Sequence, residues 1–259
     1  EPAEAEPVRI ALTLALAALL ALPLVLAAEL DRKRFGLAAA VPWYRKALEV
    51  DPNHVEALLG LPATLGDAGS NREMLDLTRR VLSLDQRNAR AWYLQSVMAA
   101  RAGRFDLARA LLNRTSGSLD DEPGTMLLRA TMELHDGAHE QAIDRLSDLV
   151  ELQPANLTAR RLLGAAYAQA KDKDGVIATL RGLAARADAD SYTLTMIGRA
   201  FEAKGDRAAA AQMLERAASP QLRPSQALVT VPLDKAAADN AANSLDARTA
   251  IPLIAAQIG

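Results

Sequence analysis

The sequence has no cysteine, and only 3% of its residues are aromatic. Without thiols there are no disulfides, no thiolate metal sites and no cysteine nucleophile. The absence suits an oxidising and a reducing compartment equally, so it selects neither. A formal net charge of -2 and a pI near 6.0 leave no basic surplus of the kind that carries nucleic-acid binding, and no nucleic-acid partner is expected. The short motifs of common chemistries are missing too. There is no GxxxxGK(S/T) phosphate loop, no GxGxxG and no GxSxG elbow. Histidine is scarce, with His54, His135 and His139 only. His135 and His139 stand four apart, a spacing used by helical zinc sites, but Gly137 between them marks a turn, so they do not share a helical face. Asn113-Arg114-Thr115 and Asn156-Leu157-Thr158 match the glycosylation sequon, a motif common by chance. No catalytic residue, no cofactor and no metal site is expected, and the chain reads as a binding protein rather than an enzyme.

What is present is alanine and leucine. Half of the residues are hydrophobic, and these two carry most of that share, which favours helix over sheet. After an acidic Pro/Ala stretch at 1–7 comes an apolar run, Val8 to Ala28, of 21 residues with one charge, Arg9, at its edge. A bilayer core takes about 20 apolar residues in a helix. Two readings fit the run, a membrane anchor and a buried helix of the array that follows. Pro23 is tolerated better in the first. Arg32, Lys33 and Arg34 follow closely, which by the positive-inside rule puts the rest of the chain in the cytoplasm. The chain begins on Glu1 and stops at Gly259 inside what reads as a starting helix, so a piece of a longer protein is expected.

The strongest signal is a period. Gly69, Gly103, Gly137 and Gly205 are separated by 34, 34 and 68 residues, and the missing beat falls on Lys171. Blocks of 34 begin at Val55, Ala89, Pro123, Leu157 and Ser191 with no insertion. In each, apolar or small residues at block positions 4, 7, 8 and 11 make one helical face, as in Leu194, Ile197, Gly198 and Phe201. A glycine near position 15 ends that helix in a left-handed cap. A second helix follows, small at 20 and apolar at 24 and 27, as in Ala142, Leu146 and Leu149. Small residues at 8 and 20 let the two helices approach.

Trp92, Leu163 with Gly164, Tyr167, Ala108, Ala142, Ala210, Ala217 and Pro154 match the pattern of the tetratricopeptide repeat (TPR) family, which the chain therefore resembles over roughly residues 37 to 219. The resemblance implies an all-α fold, a right-handed α-solenoid of TPR helix pairs. Five full 34-residue repeats (55–88, 89–122, 123–156, 157–190 and 191–219) are expected, with partial repeats at both ends. The earlier partial repeat is read as 29–54, a connector as 220–233, and a truncated further repeat as 234–259. Departures from the pattern are Gln95, Arg129 and Glu133 at apolar positions, Arg160 at the large position 4, and Pro62 inside a first helix, which it is expected to bend. Arg129 and Glu133, four apart, are expected to pair.

In this family the first helices line a concave groove, and positions 2, 5, 9, 12 and 13 look into it. The candidate partner-binding residues are thus Arg90, Tyr93, Val97, Arg101, Leu127, Thr131, Arg161, Ala165, Tyr192, Thr195 and Arg199. Arginine and tyrosine are the types that carry interface energy. The expected partner is a protein or peptide segment, with an anionic polysaccharide as a second class and a membrane through 8–28. Leu59, Ala63 and Leu94 stand where chaperone adaptors carry a carboxylate clamp, so that subtype is not expected. The segments 159–172 and 197–218 are similar to bacterial arrays that accompany exosortase and exopolysaccharide export. The similarity implies a scaffold at the bacterial inner membrane with its array in the periplasm, where the positive-inside rule favours the cytoplasmic side. A membrane-tethered assembly chaperone, or an array attached to an enzyme outside these residues, are the alternatives.

Overall fold

The computed structural model describes residues 2–67 and 71–218, and among them all regular structure is α-helical. The helices are α1 (Pro2–Phe35), α2 (Leu37–Val50), α3 (Val55–Asp67), α4 (Asn71–Leu84), α5 (Ala89–Arg101), α6 (Phe105–Asn113), α7 (Pro123–His135), α8 (His139–Leu152), α9 (Leu157–Gln169), α10 (Lys173–Ala184), α11 (Ser191–Ala203) and α12 (Arg207–Ala218). They form two compact units, one up to Leu119 and one from Asp120. Gly69, the connector 220–233 and the repeat 234–259 lie outside the described residues.

The first helices α3, α5, α7, α9 and α11 begin 34 residues apart. Side-chain caps sit just before three of them. Asn88, Asn156 and Asp190 accept from the backbone N–H groups of Ala91, Ala159 and Thr193, each satisfying one of the N–H groups a helix start leaves open. At the other end the chain turns through a left-handed residue. Gly103, Gly137 and Gly205 have φ of 70°, 76° and 82°, and Lys171 takes the same conformation at 62°. The missing glycine therefore changed the residue and not the turn.

Within a pair, position 8 faces position 24. A methyl on Gly164 would stand 2.7–2.8 Å from Leu180, and one on Gly198 would stand 2.9 Å from Leu214. In the second copy Ser96 takes position 8 and donates to the carbonyl of Ala108 at 2.6 Å, so its hydroxyl is buried but satisfied. Gln95 likewise donates to the Thr78 hydroxyl at 3.2 Å. The expected Arg129–Glu133 pair does not form. Arg129 reaches Asp120 at 2.6 Å, and Glu133 takes both Nε and Nη2 of Arg145 across to α8. Glu133 gains from Arg145 a forked contact that an i,i+4 neighbour does not offer, whereas Arg129 meets Asp120 through Nη2 alone, with its Nε buried and unpartnered. Pro62 sits inside α3, which continues to Asp67.

In the first unit the helix packing reaches back beyond residue 29. Ala21, Val25 and Ala28 of α1 are buried in one cluster with Ala40, Tyr44 and Ala47 of α2 and with Ala57, Leu61 and Leu65 of α3. Counting back 34 from Val55 gives Ala21, so the second half of α1 is the first helix of a complete earlier pair. A buried helix of the array is one of the two sequence readings of this run, and the sequence does not choose between them because an unbroken apolar stretch has no visible face. The Tyr44 hydroxyl donates to Glu29, and Trp43 Nε1 donates to Asp31 at 2.7 Å. Helix α1 is 34 residues long and α2 is 14, or about 51 and 21 Å at 1.5 Å per residue. The first turns of α1 therefore project past their partner. Side chains of residues 1–8, Ile10, Ala11 and Leu14 lie outside the described set. Among the described residues no helix is long and apolar enough to cross a membrane.

Candidate functional site: the first-helix surfaces

The eleven groove candidates divide four and seven between the two units. In the first unit all four are on α5. Arg90 and Arg101 are exposed, and Tyr93 and Val97 are half-buried. Leu59, at position 5 of α3, is buried, while Ala63 on the same helix is exposed. That leaves this neighbouring wall small and apolar.

In the second unit the seven fall on three adjacent first helices. Leu127 and Thr131 are on α7, Arg161 and Ala165 on α9, and Tyr192, Thr195 and Arg199 on α11. α9 packs against both α7 and α11. These residues thus stand on three adjacent helices with different freedom, Thr131 being buried. Thr131 and Thr195 donate to carbonyls of their own helices, Leu127 and Ser191, at 2.8 and 2.7 Å. Arg161 is 13% exposed and its Nη2 lies 2.7 Å from the Asp190 carboxylate, itself the N-cap of α11. Its Nε is buried without a hydrogen-bond partner. Arg161 is therefore a strut between α9 and α11 more than a free cation. Its charge neutralises a carboxylate that already accepts from the Thr193 N–H and hydroxyl.

Tyr192 and Arg199 are the available groups. Tyr192 is 40% exposed. Burial, helped by the nearby Asp190 carboxylate, raises its pKa above the ordinary tyrosine value, so it remains a neutral donor. Arg199 is exposed and has no ion-pair partner among the described residues. Gln169, on the wall at position 13 of α9, has a buried side-chain oxygen with no hydrogen-bond donor. The wall thus offers a guanidinium and a phenol around the small side chains of Ala165 and Thr195.

Sequence reasoning missed Asp190. It reads as a block-boundary cap, and its second role needs Arg161 from the previous block. It also missed a pocket of about 600 Å³ between α10 and the end of α11, lined by Asp174, Ile177, Ala178, Arg181, Phe201, Lys204 and Asp206. Lys204 and Asp174 pair at its rim. Among the described residues no group of three or more His, Asp or Glu is placed to hold a metal ion. His135 is exposed at the end of α7 and His139 begins α8, on either side of the Gly137 turn.

Comparison with known proteins agrees with this architecture. Residues 65–121 match the sequence profile of the tetratricopeptide repeat. Among solved structures, PilW, described as a widely conserved type IV pilus biogenesis factor, aligns with a TM-score of 0.62 at 16% identity, over 77% of this chain and 93% of its own. The pilF protein of Pseudomonas aeruginosa aligns with a TM-score of 0.61 at 17% identity, over 80% and 93%. A tetratricopeptide repeat protein of Parabacteroides merdae gives 0.52 at 12% identity, over 88% and 83%. A comparison with curated proteins gave no match. The helix pairs of the described residues have the tetratricopeptide repeat fold.

Proposed function

We propose that this chain is a non-enzymatic interaction scaffold that binds a protein or peptide segment on the α7–α9–α11 wall. The observation that carries the reading is the contrast on that wall. Arg161 is locked to Asp190, while Tyr192 and Arg199 stand free beside small residues. A rigid, preorganised surface with an exposed aromatic and an exposed arginine is the composition of a binding hot spot. An extended segment with a carboxylate near an apolar side chain fits it, the carboxylate meeting Arg199. Panning a displayed peptide library on the purified chain tests this. Selected peptides should be enriched in acidic residues and lose binding to Arg199→Glu and Tyr192→Ala. Binders indifferent to both changes would remove the wall from consideration.

The same reading tethers the scaffold to a bacterial inner membrane through the start of the 8–28 run, ahead of Ala21, Val25 and Ala28, which pack in the array, and puts the array on the periplasmic side, as the resemblance to envelope arrays implies. Its support is the sequence run itself and the exposure of leucines on α1. The exposed Arg32, Lys33 and Arg34 argue for the opposite side. A reporter fused after Gly259 decides. Activity confined to the periplasm is expected, and activity confined to the cytoplasm would overturn the envelope assignment.

A further inference from the structure

Helix α1 is apolar on the side away from its own fold. Its buried contacts are Ala21, Val25 and Ala28, packed on α2 and α3. The opposite side carries Leu12, Leu16, Leu19, Leu26 and Leu30, between 55% and 70% exposed. With Pro23 included, the spacings along this stripe are 4, 3, 4, 3 and 4. That is the 3.5-residue repeat of a coiled-coil seam. Leu20 and Leu22, also exposed, flank it at the adjoining positions. We propose that two copies of this chain pair in parallel through this seam on α1. The parallel sense rests on the membrane reading above, since two copies anchored by the same segment enter from the same side.

Two features favour a second copy over lipid alone as the occupant, and a third limits it to a membrane plane. Lipid needs an apolar surface on every side. Apart from Thr13, whose hydroxyl donates to the Arg9 carbonyl, the sequence from Leu12 to Leu20 is apolar, but the seam continues to Leu30, where the same turn carries Glu29, Asp31 and Arg32. There Asp31 holds Trp43, and Glu29 holds Tyr44 and Arg32. Acyl chains do not cover Leu30 beside those charges, whereas a facing helix does, leaving them at its rim. Charge is also complementary. On the heptad in which Leu12 is a d position, Glu29 is a g position and Arg34 is the e position five residues on. In a parallel pair these meet between chains. Arg34 is exposed and has no partner among the described residues. Finally, the seam is of limited length, about 27 Å over Leu12–Leu30. Two and a half heptads or so pair weakly in dilute water, since sustained coiled coils run to about three or four. Confinement of both copies to one membrane plane raises the effective concentration. Pro23 is the weak point of the seam, because it frees the Leu19 carbonyl and its ring replaces a leucine knob.

Because the native chain has no cysteine, single substitutions report cleanly. The full chain would be reconstituted in phosphatidylcholine vesicles and oxidised, carrying Leu16→Cys, Leu19→Cys, Leu26→Cys or Leu30→Cys on the seam, or Ala18→Cys or Arg32→Cys off it. Disulfide dimers should form several-fold more at the four seam sites than at the two others. Like-to-like bonds at both Leu16 and Leu30 require the parallel sense. Leu26→Glu with Leu30→Glu should abolish cross-linking through Leu19→Cys while the chain still floats with the vesicles. Flotation with no cross-links, or with equal cross-links at all six sites, overturns the pairing and leaves the membrane reading standing. Seam-specific cross-links in a chain that does not float do the reverse.

Discussion

Gly164 and Gly182 belong to the two helices of one pair, and replacing each by alanine should shift stability in opposite directions. In a helix interior alanine is favoured over glycine by about 1 kcal/mol, because the glycine backbone has more freedom to lose. At Gly182, on the exposed side of α10, an added methyl meets nothing within 4 Å. The gain should appear there nearly whole, at roughly 0.5–1 kcal/mol. At Gly164 the same methyl would stand 2.7–2.8 Å from Cγ, Cδ1 and Cδ2 of Leu180. Ordinary contact begins at 3.4 Å. Cγ is among the crowded atoms, so turning the end of the side chain clears nothing. Leu180 is fully buried, so α10 must move away from α9. Overpacking of this kind costs about 1–3 kcal/mol, which exceeds the propensity gain and leaves a net loss of about 1 kcal/mol. Repeat stabilities add nearly locally, so amide exchange within α9 and α10 is the assay, with urea midpoints beside it. If Gly164→Ala stabilises as much as Gly182→Ala, the close approach of position 8 to position 24 is wrong, and with it the account of why small residues recur there.

Three further outcomes follow from the same geometry. Lys171 occupies the left-handed turn that Gly137 and Gly205 occupy in other copies. Lys171→Gly should therefore stabilise by roughly 0.5 kcal/mol and Gly137→Ala destabilise by about 1, read by thermal melting. Asp190→Ala removes the α11 cap and strands the largely buried Arg161 charge, a loss of about 2–3 kcal/mol, whereas Asp190→Asn keeps the cap and should lose less. No loss in Asp190→Asn would mean that the ion pair contributes nothing, and equal losses that the cap does not. Burial works against ionisation of Glu29, but hydrogen bonds from Tyr44 and Arg32 prevail and hold its pKa below the ordinary carboxylate value. A depressed folded pKa means that the contribution is complete above the unfolded value, about 4.3, and is lost as pH falls through the lower folded one. Tyr44→Phe should flatten this acid dependence in the first unit, and melts of both proteins across the acid range would show an unchanged slope if the contact is idle.

The 34-residue beat made the fold class legible, because helix pairs of fixed length must repeat their small and large residues at fixed places. What stayed hidden was wherever one residue answers another from a different block. Arg160 reads in sequence as a defect, a charge where the repeat wants a large ring. In the structure its Nε donates to the carbonyl of Pro154 at 2.9 Å, and Trp92, one of the large residues that fit, donates through Nε1 to the carbonyl of Gln86 at 2.9 Å. Both reach back six residues to position 32 of the preceding block. What position 4 supplies in these two copies is an N–H on a long flat group that ties the incoming loop. Arginine and tryptophan both provide it, though a hydrophobicity pattern scores them as opposites. Gln95 with Thr78, Glu133 with Arg145 and Arg161 with Asp190 follow the same logic, each a polar residue made acceptable by a partner a helix or a block away. The first helix of the earliest pair was left between two readings for the converse reason. Ala21, Val25 and Ala28 are its packing face and the leucines its outer face, and since both are apolar only the neighbours tell them apart. A period identifies the residues that pack alike in every copy, whereas binding surfaces are made of those that do not. For that reason Tyr192, Arg199 and the α1 leucines become separable from structural residues only once their contacts are known.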